Sequence, residues 1–322
     1  MPQRIEQLKN WLSSLPEIDN YTFAPASGDA SFRRYFRIET GDKSYIAMDA
    51  PPEKEDTKPF IRMAEALESI GLKVPHIFAR NQAEGYLLLS DLGKTLYLDR
   101  LDETNVDRLY GDALGALVVI QACGPVEGLP DYDRTLLLQE MELFRKWLLE
   151  RHHGLSLTDD DQSMLDATFD FLAGNALDQP QVCVHRDYHS RNLMVTDQSN
   201  PGIIDFQGAV VGPVTYDLVS LLRDCYIHWP KARIEAWVMG YYELAVQSGV
   251  LRSEHEDQFL RWFDLMGVQR HLKASGIFAR LNIRDGKPGY LQDIPRTLNY
   301  ILEVAPDYPE LEGLAKLIRR II

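Results

Sequence analysis

Hydrophobic positions follow two successive textures along the chain. Ile5, Leu8, Leu12 and Leu15 share one face of a 3.6-residue period, with Trp11 beside them, and predict an opening helix. Short runs rich in aromatic and β-branched residues then take over at 21–23, 33–38 and 44–48. Gly, Asp and Ser separate them, as in an antiparallel meander. A helical period over 59–70 stops at Gly71, and 74–79 and 86–89 supply two further strands. Beyond Gly93 the period is helical over 101–121, 134–151 and 159–173. A strand-and-loop block at 182–205 interrupts it, and helices resume from Asp217 nearly to Ile322. The pattern predicts an α+β chain with a sheet-rich lobe over 1–93, a hinge near 89–93 and a larger helical lobe over 94–322.

Bulk composition narrows the function classes. A net charge of −14 over 322 residues offers no basic stripe to neutralise phosphates, so a nucleic-acid partner is not expected. Cys123, Cys183 and Cys225 are odd in number, far apart and without C-x-x-C spacing. They predict buried thiols in a reducing compartment, not a disulfide or zinc framework. The start of the chain lacks the apolar core of a secretory signal, and no apolar run approaches the ~20 residues that span a bilayer. A soluble, cytoplasmic protein is expected, with no membrane and no obligate protein partner.

The interrupting block carries the chemistry. A β-branched run delivers His185-Arg186-Asp187, Asn192 follows five residues after the Asp, and a turn leads through Ile203-Ile204 to Asp205. H-R-D-x-x-x-x-N followed by an Asp on the next hairpin is the layout of a phosphoryl-transfer loop. One carboxylate receives the proton of an attacking hydroxyl, while an Asn and a second Asp offer hard oxygens to the metal ions on a nucleotide. The expected catalytic set is therefore Asp187, Asn192 and Asp205, with Asn192 and Asp205 as Mg2+ ligands and ATP as cosubstrate. Asp205-Phe206-Gln207-Gly208 resembles D-F-G with one insertion.

On these residues the chain resembles the kinase-like phosphotransferases, and the resemblance implies a protein-kinase-like two-lobe fold. His189 makes the motif H-x-D-x-H-x-x-N, similar to aminoglycoside phosphotransferases and choline kinases. Only twelve residues separate Asp205 from Asp217, too few for a loop that binds a protein substrate. A small-molecule acceptor follows. Ser27 to Tyr35 resembles the family's nucleotide-covering loop, and Leu87 to Gly93 its adenine hinge. The nucleotide contacts so implied are Gly28, Asp29, Ser31, Arg33, Arg34, Leu89 and Asp91. One position departs from the family: Ile46-Ala47-Met48-Asp49 puts a carboxylate where a phosphate-binding Lys is usual. Arg33 or Arg34 is expected to take over that contact, with Asp49 paired to an arginine or a metal.

Three stretches, Gly28 to Arg37, Met48 to Glu53 and Val268 to Lys273, resemble a narrower group, the bacterial anomeric kinases of N-acetylmuramate and N-acetylglucosamine. That resemblance implies phosphorylation of a sugar C1 hydroxyl in peptidoglycan recycling. The substrate contacts expected with it are Asp187, Arg191, Arg223 and Asp224, with Arg270 and Lys273 as weaker candidates for the muramate carboxylate. Two alternatives stay open: a kinase of another small alcohol, aminoglycoside or choline-like, and a nucleotide-binding pseudokinase.

Overall fold

The computed structural model describes residues 2–27 and 32–322. Gly28, Asp29 and Ser31 of the expected nucleotide loop therefore lie outside the described residues. The chain divides into two compact units: residues 1–100 together with 193–208, and residues 101–192 together with 209–322.

The first unit begins with α1 (Pro2–Leu12), followed by β1 (Thr22–Ser27), β2 (Arg34–Thr40), β3 (Lys43–Asp49), α2 (Lys58–Ser69), β4 (Ile77–Asn81), β5 (Tyr86–Ser90) and the short α3 (Tyr97–Arg100). The five strands form one antiparallel sheet in the order β1-β2-β3-β5-β4. The expected meander is present, with β4 starting later than its hydrophobic run suggested. Leu8 and Leu12 of α1 bury themselves against Phe36, Ile38, Tyr45, Ala47, Tyr86 and Leu88, which project from alternating positions of β2, β3 and β5. Trp11 and Ile5 flank this cluster.

The second unit opens with α4 (Val106–Cys123) and α5 (Arg134–Leu143), which continues as a π-helical turn over Phe144–His152. α6 (Asp159–Leu177) and β6 (Gln181–Val184) follow. The chain then returns to the first unit for β7 (Leu193–Met194) and β8 (Gly202–Ile203), a two-stranded hairpin ending in a 3-10 turn at Phe206–Gly208. β9 (Val210–Pro213), α7 (Tyr216–Leu222), α8 (Lys231–Gln247), α9 (Glu256–Asp285), α10 (Ile294–Val304) and α11 (Glu312–Ile318) complete the second unit. β9 pairs antiparallel with β6.

The sequence pattern grouped the 193–208 hairpin with the helices, whereas its backbone belongs to the sheet-bearing unit. Val195 N–H donates to Thr95 C=O at 2.9 Å, Ile203 N–H donates to Lys73 C=O at 2.8 Å, and Phe206 packs on Phe60 of α2 at 5.1 Å between ring centres. Periodicity is blind to this, because two-residue strands carry almost no pattern of their own.

The 30-residue α9 is the spine of the second unit. Its Gly276 lies against the peptide joining Leu143 to Phe144, where an added Cβ would stand 2.3 Å from a backbone carbon. Only glycine permits that approach, and it occurs where α5 widens into its π turn.

Candidate active site

The loop after β6 is held by carboxylates from α7 and its C-terminal end. Asp217, fully buried, accepts the backbone N–H of His185 at 2.6 Å and of Arg186 at 2.9 Å. Asp224 accepts the Ser190 N–H at 2.9 Å, the Ser190 hydroxyl at 2.5 Å and the Tyr226 N–H at 3.0 Å. Tyr188 anchors the middle of the loop by donating to the Ala113 carbonyl at 2.8 Å. These bonds make Arg186 tolerate a φ of +76°, a left-handed conformation that costs a non-glycine residue energy. The Arg186 side chain offsets that cost by pairing with Glu140 of α5 and lying over the Tyr132 ring.

Within the loop, the Asn192 side-chain N–H donates to the Asp187 carbonyl at 2.9 Å, and its backbone N–H donates to the His189 carbonyl at 2.8 Å. The five-residue spacing of the motif is thus a local turn closed by the Asn itself. Because the amide nitrogen is committed to Asp187, the amide oxygen is assigned to the opposite side as an acceptor.

Asp187 lines a pocket whose other walls are Arg186, His189, Tyr216, Cys225, Tyr226 and the α9 face Arg270, Lys273, Ala274, Ile277 and Phe278. Burial by itself would raise the Asp187 pKa. Lys273, His189, His185 and Arg270 outweigh it and hold the carboxyl below its ordinary value, so Asp187 is an anion at neutral pH. Lys273 donates to Tyr216 Oη at 2.8 Å and pairs with Glu140 at 3.0 Å. Glu140, which also accepts from Tyr132, thereby bridges Lys273 and Arg186.

Two buried histidines flank this chemistry as neutral rings. Burial lowers His189 to about 4, and it lowers His271, stacked on Tyr300 and bonded to the Arg223 carbonyl at 2.9 Å, to about 3. Both start from 6.5, so between these values the folded state binds fewer protons than the unfolded chain. Stability therefore falls as pH drops from about 6.5 toward 4. Burial raises Asp217 from 3.8 to about 6, and its slope runs the opposite way, so the difference between variants is the readout. Melting temperatures from pH 7 to pH 4 should decline less steeply for His271→Gln, which keeps a donor for Arg223. Parallel curves would refute the assignment.

The remaining expected site residues fall in three groups. Arg223 is buried and spends its guanidinium on Asp264 at 2.6 Å and on the Phe263 face, so it is an interior ion pair. Asp224 is buried and braces the loop through Ser190. Neither belongs to the pocket wall, because both side chains turn inward to satisfy buried partners. Arg191 is exposed and stacks over Tyr226 and Tyr290.

In the first unit, Asp205 adopts φ +65°, accepts from Gln207 at 2.7 Å and faces the Arg33 guanidinium at 3.5 Å. Asp49 is fully buried and is gripped by Arg4 at 2.7 Å and by Arg34 at 3.0 Å. The odd carboxylate of β3 is therefore paired with arginines. Leu89 is a buried β5 residue, and Asp91 accepts from Arg37 at 2.6 Å and from the Gly93 N–H at 3.0 Å. Pattern reading singled out neither Glu140 nor Asp217, although a Glu in a hydrophobic helix face and an Asp opening α7 were the available signals.

Taken each in its own unit, Asp205 offers carboxylate oxygens and Asn192 an amide oxygen, the hard donors that a divalent cation such as Mg2+ prefers. No cluster of three or more His, Cys, Asp or Glu side chains in a ligating arrangement occurs among the described residues. No helix among them is long and apolar enough to cross a membrane. Cys183 and Cys225 are buried, Cys123 is exposed, and all three are free thiols.

Comparison with known proteins agrees with the fold. The model of the phosphotransferase enzyme family matches residues 22–250. The N-acetylmuramate/N-acetylglucosamine kinase of Pseudomonas aeruginosa is 45% identical over 98% of this chain and 96% of its own length. The protein of that name from Neisseria meningitidis serogroup B is 42% identical over 99% and 96%. Among solved structures, the choline kinase LicA from Streptococcus pneumoniae superposes with a TM-score of 0.65 at 15% identity, covering 92% of this chain and 98% of that one. The ADP-bound aminoglycoside phosphotransferase APH(2'')-Ib gives 0.60 at 16% identity, covering 91% and 97%. With the H-R-D loop, its Asn closure and its buried carboxylate supports in place, the chain belongs to the phosphotransferase enzyme family.

Proposed function

We propose that this chain is a cytoplasmic, ATP- and Mg2+-dependent kinase that phosphorylates the C1 hydroxyl of N-acetylmuramate and N-acetylglucosamine in peptidoglycan recycling. The observation that carries this reading is the near full-length identity of 45% to a relative with that printed name. The pocket adds support of its own. Its wall sets Arg186, Arg270 and Lys273 against the single carboxylate Asp187, with Tyr226, Ile277 and Phe278 as apolar surface. Such a lining suits a neutral or anionic sugar better than a polycationic aminoglycoside or choline.

In this reading the sugar hydroxyl donates to Asp187, which orients it and takes its proton as the new oxygen–phosphorus bond forms. ADP departs with the electrons of the broken bond. Asn192 and Asp205 would hold Mg2+, which neutralises charge on the phosphates. Neutral His189 does not compete for the proton at pH 7, because burial keeps its pKa near 4.

Incubation with ATP, Mg2+ and each sugar, beside kanamycin and choline, tests the reading, with the product examined by phosphorus NMR. Turnover of both sugars with a C1 phosphate is expected. No consumption of either sugar sinks the proposal, and phosphate on another oxygen sinks its anomeric part.

The nucleotide side gives a second expected result. Arg34 is committed to Asp49, while Arg33 faces Asp205. Arg33→Ala is expected to raise the KM for ATP by about tenfold, the scale of one lost charge-assisted contact. Arg34→Ala should instead lower the melting temperature, because it strips a partner from buried Asp49. An unchanged KM for ATP in both variants would overturn the arginine substitution for the usual lysine.

A further inference from the structure

Among the charged side chains of the pocket wall, Arg270 differs from its neighbours. Arg186 and Lys273 share Glu140. Arg270 is only 6% exposed yet forms no ion pair among the described residues. Among the described residues its one hydrogen bond, 3.6 Å from Nη1 to Cys225 Sγ, is to a weak acceptor, and its buried Nε has no acceptor. A guanidinium is always charged and carries five N–H donors in a plane. Asp187 offsets part of its charge through space, but leaving its donors unspent in a buried place is costly unless a ligand completes them.

The surroundings say where that ligand sits. Arg270 lies one helical turn before Lys273 on the α9 face that also presents Ala274, Ile277 and Phe278 to the pocket, and Asp187 lines the same pocket. A second buried polar atom of this wall, His189 Nδ1, also lacks a partner, as a site built around a polar ligand requires. The matching ligand group is planar, anionic and able to accept two parallel N–H bonds, which is the geometry of a carboxylate. N-acetylmuramate carries one on its lactyl ether, and N-acetylglucosamine does not.

We propose that Arg270 receives the carboxylate of the acceptor sugar and sets the preference for N-acetylmuramate over N-acetylglucosamine. This assignment rests on the sugar-kinase reading above and deepens it. Lys273 does not serve in the same way, because Glu140 and Tyr216 already satisfy its ammonium group.

The test compares kcat/KM for the two sugars in the wild type, Arg270→Lys and Arg270→Met. It also compares N-acetylmuramate with its lactyl carboxamide in the wild type. In Arg270→Met the ratio of kcat/KM for N-acetylmuramate to that for N-acetylglucosamine is expected to fall by roughly tenfold or more, mostly through KM. Arg270→Lys should recover part of the loss, and the wild type should disfavour the carboxamide by a similar factor. An unchanged ratio overturns the proposal. So does an equal kcat loss on both sugars, which would mean that Arg270 serves the transferred phosphoryl group or the fold. If Arg270→Met does not fold, the wild-type comparison decides alone, and equal kcat/KM for acid and carboxamide overturns the assignment. A wild type that turns over neither sugar defeats the underlying sugar-kinase reading and this assignment with it. Turnover of both sugars with no carboxylate preference defeats this assignment only.

Discussion

Asp187→Asn is expected to lower kcat by about 10³-fold, the middle of the range for removing a positioned general base. The substitution keeps the shape and the backbone, so the Asn192 contact to the residue-187 carbonyl survives. What disappears is the anion that Lys273, His189, His185 and Arg270 maintain against burial. The neutral amide has no basic oxygen for the acceptor proton. The KM for ATP and the melting temperature should stay close to wild type, which separates a chemical defect from a structural one. Steady-state kinetics with thermal unfolding on the same preparation measure both. A kcat within tenfold of wild type would remove Asp187 from the reaction.

Glu140→Leu is expected to cost about 3–5 kcal/mol, among the largest stability losses for a single residue in this chain. Glu140 is 6% exposed and serves Arg186, Lys273 and Tyr132 together. Its deletion leaves buried Lys273 and half-buried Arg186 side by side without the carboxylate that bridges them. Arg186 would also lose the partner that offsets its φ of +76°, so the backbone leading into Asp187 should loosen. The variant should therefore melt roughly 10 °C lower and lose kcat as well, at about 2–4 °C per kcal/mol for a unit of this size. Glu312→Gln, which breaks the exposed i,i+4 pair with Lys316, serves as the control and should leave the melting curve in place. A Glu140→Leu protein that melts like wild type would show that the cations find water or each other without penalty.

These two outcomes have different sources in the chain. Asp187 could be named without a structure because its loop is closed by its own neighbours. The Asn192 amide bonds a carbonyl five residues back, so the spacing of the motif is a local fact. The same holds for α1 and the sheet strands, where Leu8, Leu12, Phe36, Ile38 and Leu88 bury as their periods required. The family resemblance rested on these local features, and the family model and the relatives agree with it.

Glu140 was not legible in that way, and Arg270 was named only through the resemblance, with nothing in its neighbours to separate it from Lys273. Glu140 lies 46 residues before Arg186, and although it falls on the apolar face of α5 nothing local says which cations it meets. Arg223 and Asp224 show the converse: both looked like substrate contacts, and both turn inward to Asp264 and to Ser190. A local motif is legible in its residues when the bonds that define it join near neighbours, as in the H-R-D loop and the amphipathic faces. Which charges pair, and which one is left for a ligand, depends on how closely α9 approaches α5, an approach that requires Gly276 to lie bare against the Leu143 peptide. Charge acts through space at short range, so only the folded chain settles whether a buried arginine already has its carboxylate or awaits one.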